Sequence, residues 1–183
     1  QNLINVKNLI KSKLSDLKHI DRPIKIIAVS KTFKLEHIHP LINHGHIDFG
    51  ENKVQEAVEK WTEIKKNNNN LKIHLVGKLQ TNKVKNAIKL FDFIHSLDNE
   101  KLAIKISEEQ SKIKVKPKLF IQINIGNEAQ KGGIKVDELE EFYKYCLKLE
   151  LDIIGTMCLP PINDDSEIYF LRMKFLNKKL NLK

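Results

Sequence analysis

The sequence predicts an α/β fold in which a parallel sheet is covered by helices. Six short apolar runs alternate along the chain with helical stretches. The runs are apolar at nearly every position, which is typical of parallel strands that are buried on both faces. No change in composition divides the 183 residues. We therefore expect one domain spanning residues 1–183.

The predicted strands are short and are separated by polar connections. We place them at residues 24–30, 47–50, 72–77, 91–96, 118–125 and 151–157. The polar run 67–70 and the dipeptide Lys116-Pro117 mark turns before two of these strands. Each strand is followed by a helical pattern, which gives six βα units after an opening helix.

The predicted helices each have one apolar face, and we expect these faces to pack on the sheet. In the opening helix the face is formed by Leu3, Val6, Ile10, Leu14 and Leu17. After residue 50 it is formed by Val54, Ala57, Val58, Trp61 and Ile64. The later helices repeat the design with Val84, Ala87 and Ile88, then Leu102, Ile104 and Ile106, then Leu139, Phe142, Tyr143 and Cys146, and finally Ile168, Phe170, Leu171, Met173, Phe175 and Leu176.

Composition narrows the function classes. The net charge is +9, but among 32 lysine and arginine residues only Arg22 and Arg172 are arginine, and the lysines are scattered. Specific nucleic-acid binding is therefore not expected.

No stretch reaches the ~20 apolar residues of a membrane span, and polar residues interrupt the first segment, so we expect a cytoplasmic protein. Cys146 and Cys158 lack metal or redox spacing and are expected to be reduced thiols in or near the core.

Polar residues follow every predicted strand. Parallel strands could form a doubly wound sheet or part of an eight-stranded barrel, and periodicity leaves both open. Both architectures bind ligands at the C-terminal ends of the strands. None of the loops there has a Gly-rich dinucleotide fingerprint or a P-loop, so nucleotide binding is not expected. The strand ends carry Ser30-Lys31-Thr32, Gly50-Glu51-Asn52, the run 77–83, His95-Ser96-Leu97-Asp98, Asn124 with Lys131-Gly132-Gly133, and Gly155-Thr156-Met157.

Lys31 is the residue on which a functional hypothesis depends. A lysine where a buried strand runs into a loop can present a desolvated amine to a pocket, where a lowered pKa makes it a nucleophile toward aldehydes. The alternative is a solvated lysine at a strand end in a lysine-rich chain. The residue and its spacing leave both interpretations open.

Several motifs together resemble the pyridoxal phosphate homeostasis protein family. They occur in order through nearly the whole chain: Ala-Val-Ser-Lys31-Thr, Asp48-Phe-Gly50-Glu51-Asn52 with Gln55-Glu56, His74-Leu-Val-Gly77-Lys-Leu79-Gln80-Thr-Asn82-Lys83, His95-Ser96-Leu-Asp98, Gln122-Ile-Asn124 and Gly155-Thr-Met157.

The resemblance implies a fold, a cofactor and a role. The fold would be a parallel (β/α)8 TIM-type barrel like the N-terminal domain of alanine racemase. Lys31 would hold pyridoxal 5'-phosphate as a Schiff base, with Asn52, His74 and Met157 lining the pocket and Lys131 as a possible second lysine. The protein would act as a carrier in vitamin B6 homeostasis, without an established reaction, and pyridoxal-phosphate-dependent apoenzymes would be its partners. We expect a monomer that binds neither membranes nor specific nucleic acids.

Other interpretations remain open beside the resemblance. His74 could be a core histidine, Met157 a core side chain and Lys131 a solvated loop residue. An amino-acid racemase would need a second acid or base and a partner for the ring nitrogen, and neither Arg22 nor Arg172 is suitably placed. A metal site formed by His37, His39, His44 and His46 is disfavoured, because no carboxylate or cysteine accompanies them in a suitable pattern.

The chain departs from the family pattern in two places. It continues after Lys31 with Thr32-Phe33-Lys34, where many relatives have proline or a second basic residue. The family's later segments have no counterpart after the sixth helix, so about six βα units are present. We therefore expect a C-terminally incomplete barrel with two unpaired sheet edges and a weakened phosphate site.

Overall fold

The computed structural model describes residues 2–16 and 24–182; Leu17 and Arg22, named above, lie outside these ranges. Seven α-helices and six strands alternate in the described part of the chain, and a short 3-10 helix, Thr81–Lys83, precedes the fourth α-helix. In chain order they are α1 (Asn2–Asp16), β1 (Ala28–Val29), α2 (Leu35–Asn43), β2 (Asp48–Glu51), α3 (Val54–Asn67), β3 (Lys72–Leu75), α4 (Val84–Leu90), β4 (Phe93–Leu97), α5 (Glu100–Ile113), β5 (Lys118–Ile123), α6 (Leu139–Lys148), β6 (Ile153–Cys158) and α7 (Ser166–Lys179).

The six strands form one parallel sheet in the order β1-β2-β3-β4-β5-β6. Every strand lies beside its neighbour in the chain, whereas a doubly wound sheet reverses its strand order at a switch point. The order is that of a TIM-type barrel with six of its βα units present, as predicted. Among the described residues, β1 pairs only with β2 and β6 only with β5, which leaves two sheet edges.

The hydrophobic core lies between the outer face of the sheet and the helices. Phe49 of β2 packs against Trp61 of α3, with ring centroids 4.9 Å apart, and both side chains are fully buried. Apolar side chains from the other strands fill the same layer, which explains why the strands appear apolar in the sequence. The strand residues in this layer include Ile73, Leu75, Ile94, Leu119 and Ile121.

The inner face of the sheet holds a different set of side chains. Val29 and Gly50 are register partners, and a Cβ on Gly50 would lie 3.2 Å from the Val29 side chain. Gly50 is also aligned with His74, whose ring stacks on that of Phe93. Polar and aromatic residues therefore alternate with the core residues along β2, β3 and β4.

The predicted strands coincide with the observed ones within a few residues, except for the first. We predicted a strand over residues 24–30, but β1 comprises only Ala28–Val29. It is short because its one partner strand aligns with it at two positions, Ala28 with Phe49 and Val29 with Gly50. Hydrogen bonding to one side alone does not hold residues 24–27 in the ladder.

The predicted apolar faces are only partly buried at the two ends of the sheet. The α3 face is covered as expected, but Val6 of α1 is exposed and the other described members of its face are half-buried. In α7 only Met173 and Leu176 are buried, so the prediction for this helix was wrong for its remaining members. A helix at the end of an open sheet lacks a neighbour on one side. The exposed members are Ile168, Phe170, Leu171 and Phe175, and Ile104 of α5 is exposed as well.

Both cysteines are free thiols, as predicted, with Cys146 buried and Cys158 half-buried. Burial raises the pKa of the Cys146 thiol to about 12, so this residue is unreactive at neutral pH. In the part of the chain that the structure describes, no helix has the length and apolar character needed to cross a bilayer.

Candidate functional site

Lys31 lies two residues after the end of β1, at the C-terminal edge of the sheet. Ser30 faces outward, because its hydroxyl donates to Glu51 Oε1 at 2.8 Å and Glu51 is fully buried on the α3 side. Side chains alternate between the two faces of an extended strand. The alternation places Val29 on the inner face, and Lys31, two residues further along, lies in a turn in which the Phe33 amide donates to the Ser30 carbonyl at 3.1 Å.

The Lys31 side chain is exposed. In residues 2–16 and 24–182 its amine has no hydrogen-bond partner and no ion-pair partner. Of the two interpretations that the sequence left open, the structure shows the solvated lysine, because β1 is an edge strand among the described residues and its end is open to water. A lysine without a carboxylate partner is accessible to an electrophile that enters from the C-terminal edge of the sheet.

A buried polar network lies directly beneath Lys31, on the outer face of the sheet. Glu51 Oε1 accepts hydrogen bonds from Ser30 Oγ, from Lys60 Nζ at 2.9 Å and from Trp61 Nε1 at 2.9 Å. Lys60 Nζ also donates to the Ser30 carbonyl at 2.8 Å. The network joins the end of β1 to α3 through four side chains.

Asn52 follows β2 on the same edge as Lys31, and it is half-buried. Its backbone lies against Gly77, which follows β3: a Cβ built on Gly77 would overlap the Asn52 carbonyl oxygen and lie 2.7 Å from its Cα. Real Cβ atoms do not approach backbone so closely. Gly77 is thus required for the two loops to meet, which gives a physical reason for its place in the motif.

We expect Gly77→Ala to displace the loop that carries Asn52 and to lower the free energy of unfolding by about 2 kcal/mol. Urea unfolding followed by circular dichroism measures this change. Gly132→Ala is the matched control, because a Cβ there would meet only the ends of two flexible side chains, Asp98 at 3.2 Å and Gln122 at 3.7 Å. Equal stabilities of the two variants would contradict the role given to Gly77.

His74 lies in the middle of a hydrogen-bonded chain of buried side chains on the inner face. Its Nε2 is 3.0 Å from Asp48 Oδ1, and its Nδ1 is 3.0 Å from His95 Nε2. The two histidine rings each stack on a phenylalanine, His74 on Phe93 and His95 on Phe120, with ring centroids 4.3 Å apart in both pairs. Both nitrogens of His74 are therefore engaged within the protein.

The Asp48 carboxylate fixes the proton positions along this chain. A carboxylate only accepts, so His74 Nε2–H donates to it and His74 Nδ1 accepts from His95 Nε2–H. Burial lowers the pKa of both histidines, that of His95 to about 4, with the neighbouring His74 adding to the effect on His95. Both rings are neutral at neutral pH.

The low pKa of His95 makes acid destabilising. Above pH about 6.5 the ring is neutral in the folded and in the unfolded chain. Between pH about 6.5 and about 4 the unfolded chain takes up a proton that the folded chain does not. The free energy of unfolding should therefore fall by roughly 3 kcal/mol over this range.

His95→Gln should reduce this fall, because the amide can still donate to His74 but does not titrate. Urea unfolding at a series of pH values measures it. His39→Gln is the matched control, because it replaces an exposed histidine and leaves the buried pair intact. A His95→Gln chain that loses stability in acid as fully as the unmodified chain would refute the assignment.

Met157 lies on β6 with its side chain on the inner face. Met157 is half-buried and is aligned with Gln122 of β5. Gln122 lies two residues after Phe120 and therefore on the same, inner face of the sheet. The structure thus brings Lys31, Asn52 and Met157 to the same edge of the sheet, at the ends of β1, β2 and β6. His74 lies deeper on the inner face.

Lys131 is engaged in contacts between two loops. Its amine forms an ion pair with Glu128 and donates to the backbone carbonyls of Leu159 at 3.1 Å and Pro160 at 3.0 Å. It therefore joins the loop after β5 to the loop after β6. These contacts favour a structural role over the freely solvated lysine that was the alternative.

The four histidines considered for a metal site do not form one. His37, His39 and His44 are exposed, whereas His46 is buried and its Nε2 is 2.8 Å from the Asp48 carbonyl oxygen. Across the described ranges, no group of three or more histidine, cysteine, aspartate or glutamate side chains has a metal-binding arrangement.

Sequence reasoning missed the supporting residues of the site. Asp48, Glu51, Lys60 and His95 were not singled out as site residues, although three of them occur within strands that are otherwise apolar. The available signal was the presence of polar or charged residues inside β2, β3 and β4. This signal identifies the supporting residues only when it is known which side chains of each strand lie on the inner face and which on the outer face.

Comparisons with known proteins show the family to which the chain belongs. The model of the family described as the alanine racemase N-terminal domain matches residues 7–178. The chain is 35% identical over 184 residues to the pyridoxal phosphate homeostasis protein of Pasteurella multocida, and the match covers 98% of this chain and 79% of that protein. The chain belongs to the pyridoxal phosphate homeostasis family. The family member from Aquifex aeolicus is 35% identical over 160 residues, covering 85% of this chain and 69% of that protein.

Solved structures place this homeostasis-family chain in the same fold. PipY of Synechococcus elongatus, solved with PLP bound, superposes with a TM-score of 0.78 at 29% identity, covering 92% of this chain and 80% of PipY. The alanine racemase of Clostridium difficile 630 superposes with a TM-score of 0.73 at 20% identity, covering 98% of this chain and 46% of the racemase. The second comparison is evidence of fold alone.

Proposed function

We propose that this chain binds pyridoxal 5'-phosphate through a Schiff base on Lys31 and serves as a non-catalytic carrier in pyridoxal phosphate homeostasis. The observation that carries the proposal is the position of Lys31. It follows β1 at the ligand-binding edge of the sheet, is exposed, and has no ion-pair partner among the described residues. The names of the relatives and the cofactor in the PipY structure support the same cofactor.

The residues around Lys31 fit a flat aromatic aldehyde. Gly50 lets the Ile27 and Val29 side chains pack over β2, where a Cβ would lie 3.1 and 3.2 Å from them. The Asn52 amide can donate to an oxygen substituent, and the Met157 thioether can pack on a ring face. When bound, the cofactor supplies a reactive aldehyde on an electron-withdrawing ring.

The covalent step needs only an unprotonated amine. Lys31 Nζ attacks the aldehyde carbon, the carbonyl oxygen leaves as water, and a carbon–nitrogen double bond remains. Addition of water reverses the step and returns the free aldehyde. This reversibility suits a carrier that delivers the cofactor to pyridoxal-phosphate-dependent apoenzymes, and we propose that it does so as a cytoplasmic monomer.

The hydrogen bonds of His74 favour a carrier role over a racemase role. A racemase needs a free acid or base beside the cofactor. Both nitrogens of His74 are held by Asp48 and His95. His74 therefore supports the inner face and holds no nitrogen free for proton exchange with a substrate.

Titration with the cofactor tests the proposal. We expect a saturable visible absorbance band with pyridoxal 5'-phosphate, at about one equivalent. Pyridoxine 5'-phosphate, which has an alcohol in place of the aldehyde, is the matched control and should give no band. An equally strong band from the urea-unfolded chain would contradict a specific site, since any exposed lysine can react with an aldehyde.

A further inference from the structure

The Ser30–Lys31 peptide bond is held more tightly than its position at the end of an edge strand requires. The Ser30 amide donates to the Gly50 carbonyl at 2.9 Å, and the Ser30 carbonyl accepts from the Phe33 amide at 3.1 Å. The same carbonyl accepts from Lys60 Nζ. With its hydroxyl bound to Glu51, Ser30 has no unused polar group.

The network that holds Ser30 contains a costly pair of charges. Glu51 is fully buried, and the Lys60 side chain is 13% exposed. All the donors meet Glu51 Oε1, and the buried Oε2 has no partner among the described residues. Replacing a buried ion pair by apolar side chains is often neutral or stabilising. Stability alone therefore does not account for these two charges.

We infer that Glu51 and Lys60 are positioning residues for the amine of Lys31. This inference rests on the proposed function. Neither residue is placed to contact a ligand on the inner face, because Glu51 and Lys60 lie between the sheet and α3. They act through Ser30: its hydroxyl and its carbonyl are fixed, so the backbone from which the Lys31 side chain extends is fixed as well.

A fixed backbone limits the positions that the Lys31 amine can reach. A lysine amine sits on a flexible four-carbon stem, and the region it can reach depends on the direction of the Cα–Cβ bond. Holding a nucleophile in the direction of attack accelerates its reaction without any new contact to the reacting atoms. Loss of the network should therefore slow covalent capture and reduce its selectivity for Lys31.

The test is the rate at which borohydride traps pyridoxal 5'-phosphate on each lysine, followed by peptide mass analysis. In Glu51→Gln and in Lys60→Met we expect trapping on Lys31 to slow by about tenfold, with a larger share of the label on other lysines. Lys60→Arg, which can still donate to Ser30 and to Glu51, should restore most of the rate.

Glu109→Gln is the matched control. Glu109 of α5 is a buried carboxylate that accepts from Lys105 at 2.9 Å and from Lys112 at 3.3 Å, and it does not contact β1. Its loss removes a comparable ion pair and should leave the rate and the selectivity at Lys31 unchanged.

Two results would overturn the inference. The first is that folded Glu51→Gln and Lys60→Met trap the cofactor on Lys31 at the wild-type rate and with the wild-type selectivity. The second is that Lys60→Arg traps the cofactor as slowly as Lys60→Met does. If Glu51→Gln does not fold, the two Lys60 variants decide the matter. Failure of the proposed function is distinct, because the wild-type chain would then show no preference for Lys31, and the inference would fall with it.

Discussion

Lys31→Ala should abolish the visible absorbance band that forms with pyridoxal 5'-phosphate. The substitution removes an exposed amine at the C-terminal edge of the sheet and takes away no side-chain hydrogen bond in the described structure. The site keeps its shape, so weak non-covalent binding remains while the covalent band is lost. We expect the band at saturating cofactor to fall by at least about tenfold, as measured by absorbance titration.

Lys34→Ala is the matched control for this experiment. Lys34 is also exposed, and it lies three residues further along the same loop, just before α2. Its removal should leave the band unchanged. A full band in Lys31→Ala, or equal losses in the two variants, would show that the cofactor reacts with lysines in general.

Trp61→Ala should cause the largest loss of stability. Trp61 is fully buried, packs against Phe49 and donates to Glu51. Its truncation leaves a cavity between β2 and α3 and removes one donor from a buried carboxylate. We expect the free energy of unfolding to fall by about 4 kcal/mol, measured by urea unfolding.

Two companion variants separate the contributions of packing and hydrogen bonding. Trp61→Phe keeps most of the aromatic contact but removes the donor to Glu51, and should cost about 1–2 kcal/mol. Phe175→Ala removes an aromatic ring that is 68% exposed and should cost less than about 0.5 kcal/mol. A loss in Trp61→Ala no greater than that in Phe175→Ala would refute the packing described for α3.

The parallel α/β fold could be predicted because its sequence signals are local. Apolar runs of strand length and amphipathic helices such as α3 depend on burial by immediate neighbours, and both are present in the sequence. The choice between a doubly wound sheet and a barrel is different. It depends on which strands pair, and that information lies in contacts between distant residues, such as Val29 with Gly50.

Local sequence patterns also do not predict which side chains are buried at the ends of the sheet, nor the contacts that support the site. The apolar residues of α7 suggest a broad buried face, yet only two are covered, because coverage depends on the neighbours that a helix has. Lys60 resembles any other surface lysine in α3 until the fold brings its amine to the Ser30 carbonyl. Motif resemblance singled out Lys31 and His74, but the engagement of both His74 nitrogens is visible only in three dimensions.

Mapping the covalent adduct tests the central claim most directly. The folded chain is incubated with one equivalent of pyridoxal 5'-phosphate, reduced with borohydride, digested and analysed by mass spectrometry. We predict that the reduced cofactor is found mainly on the peptide that contains Lys31. An adduct spread evenly over the exposed lysines, or concentrated on another lysine such as Lys131, would contradict the account.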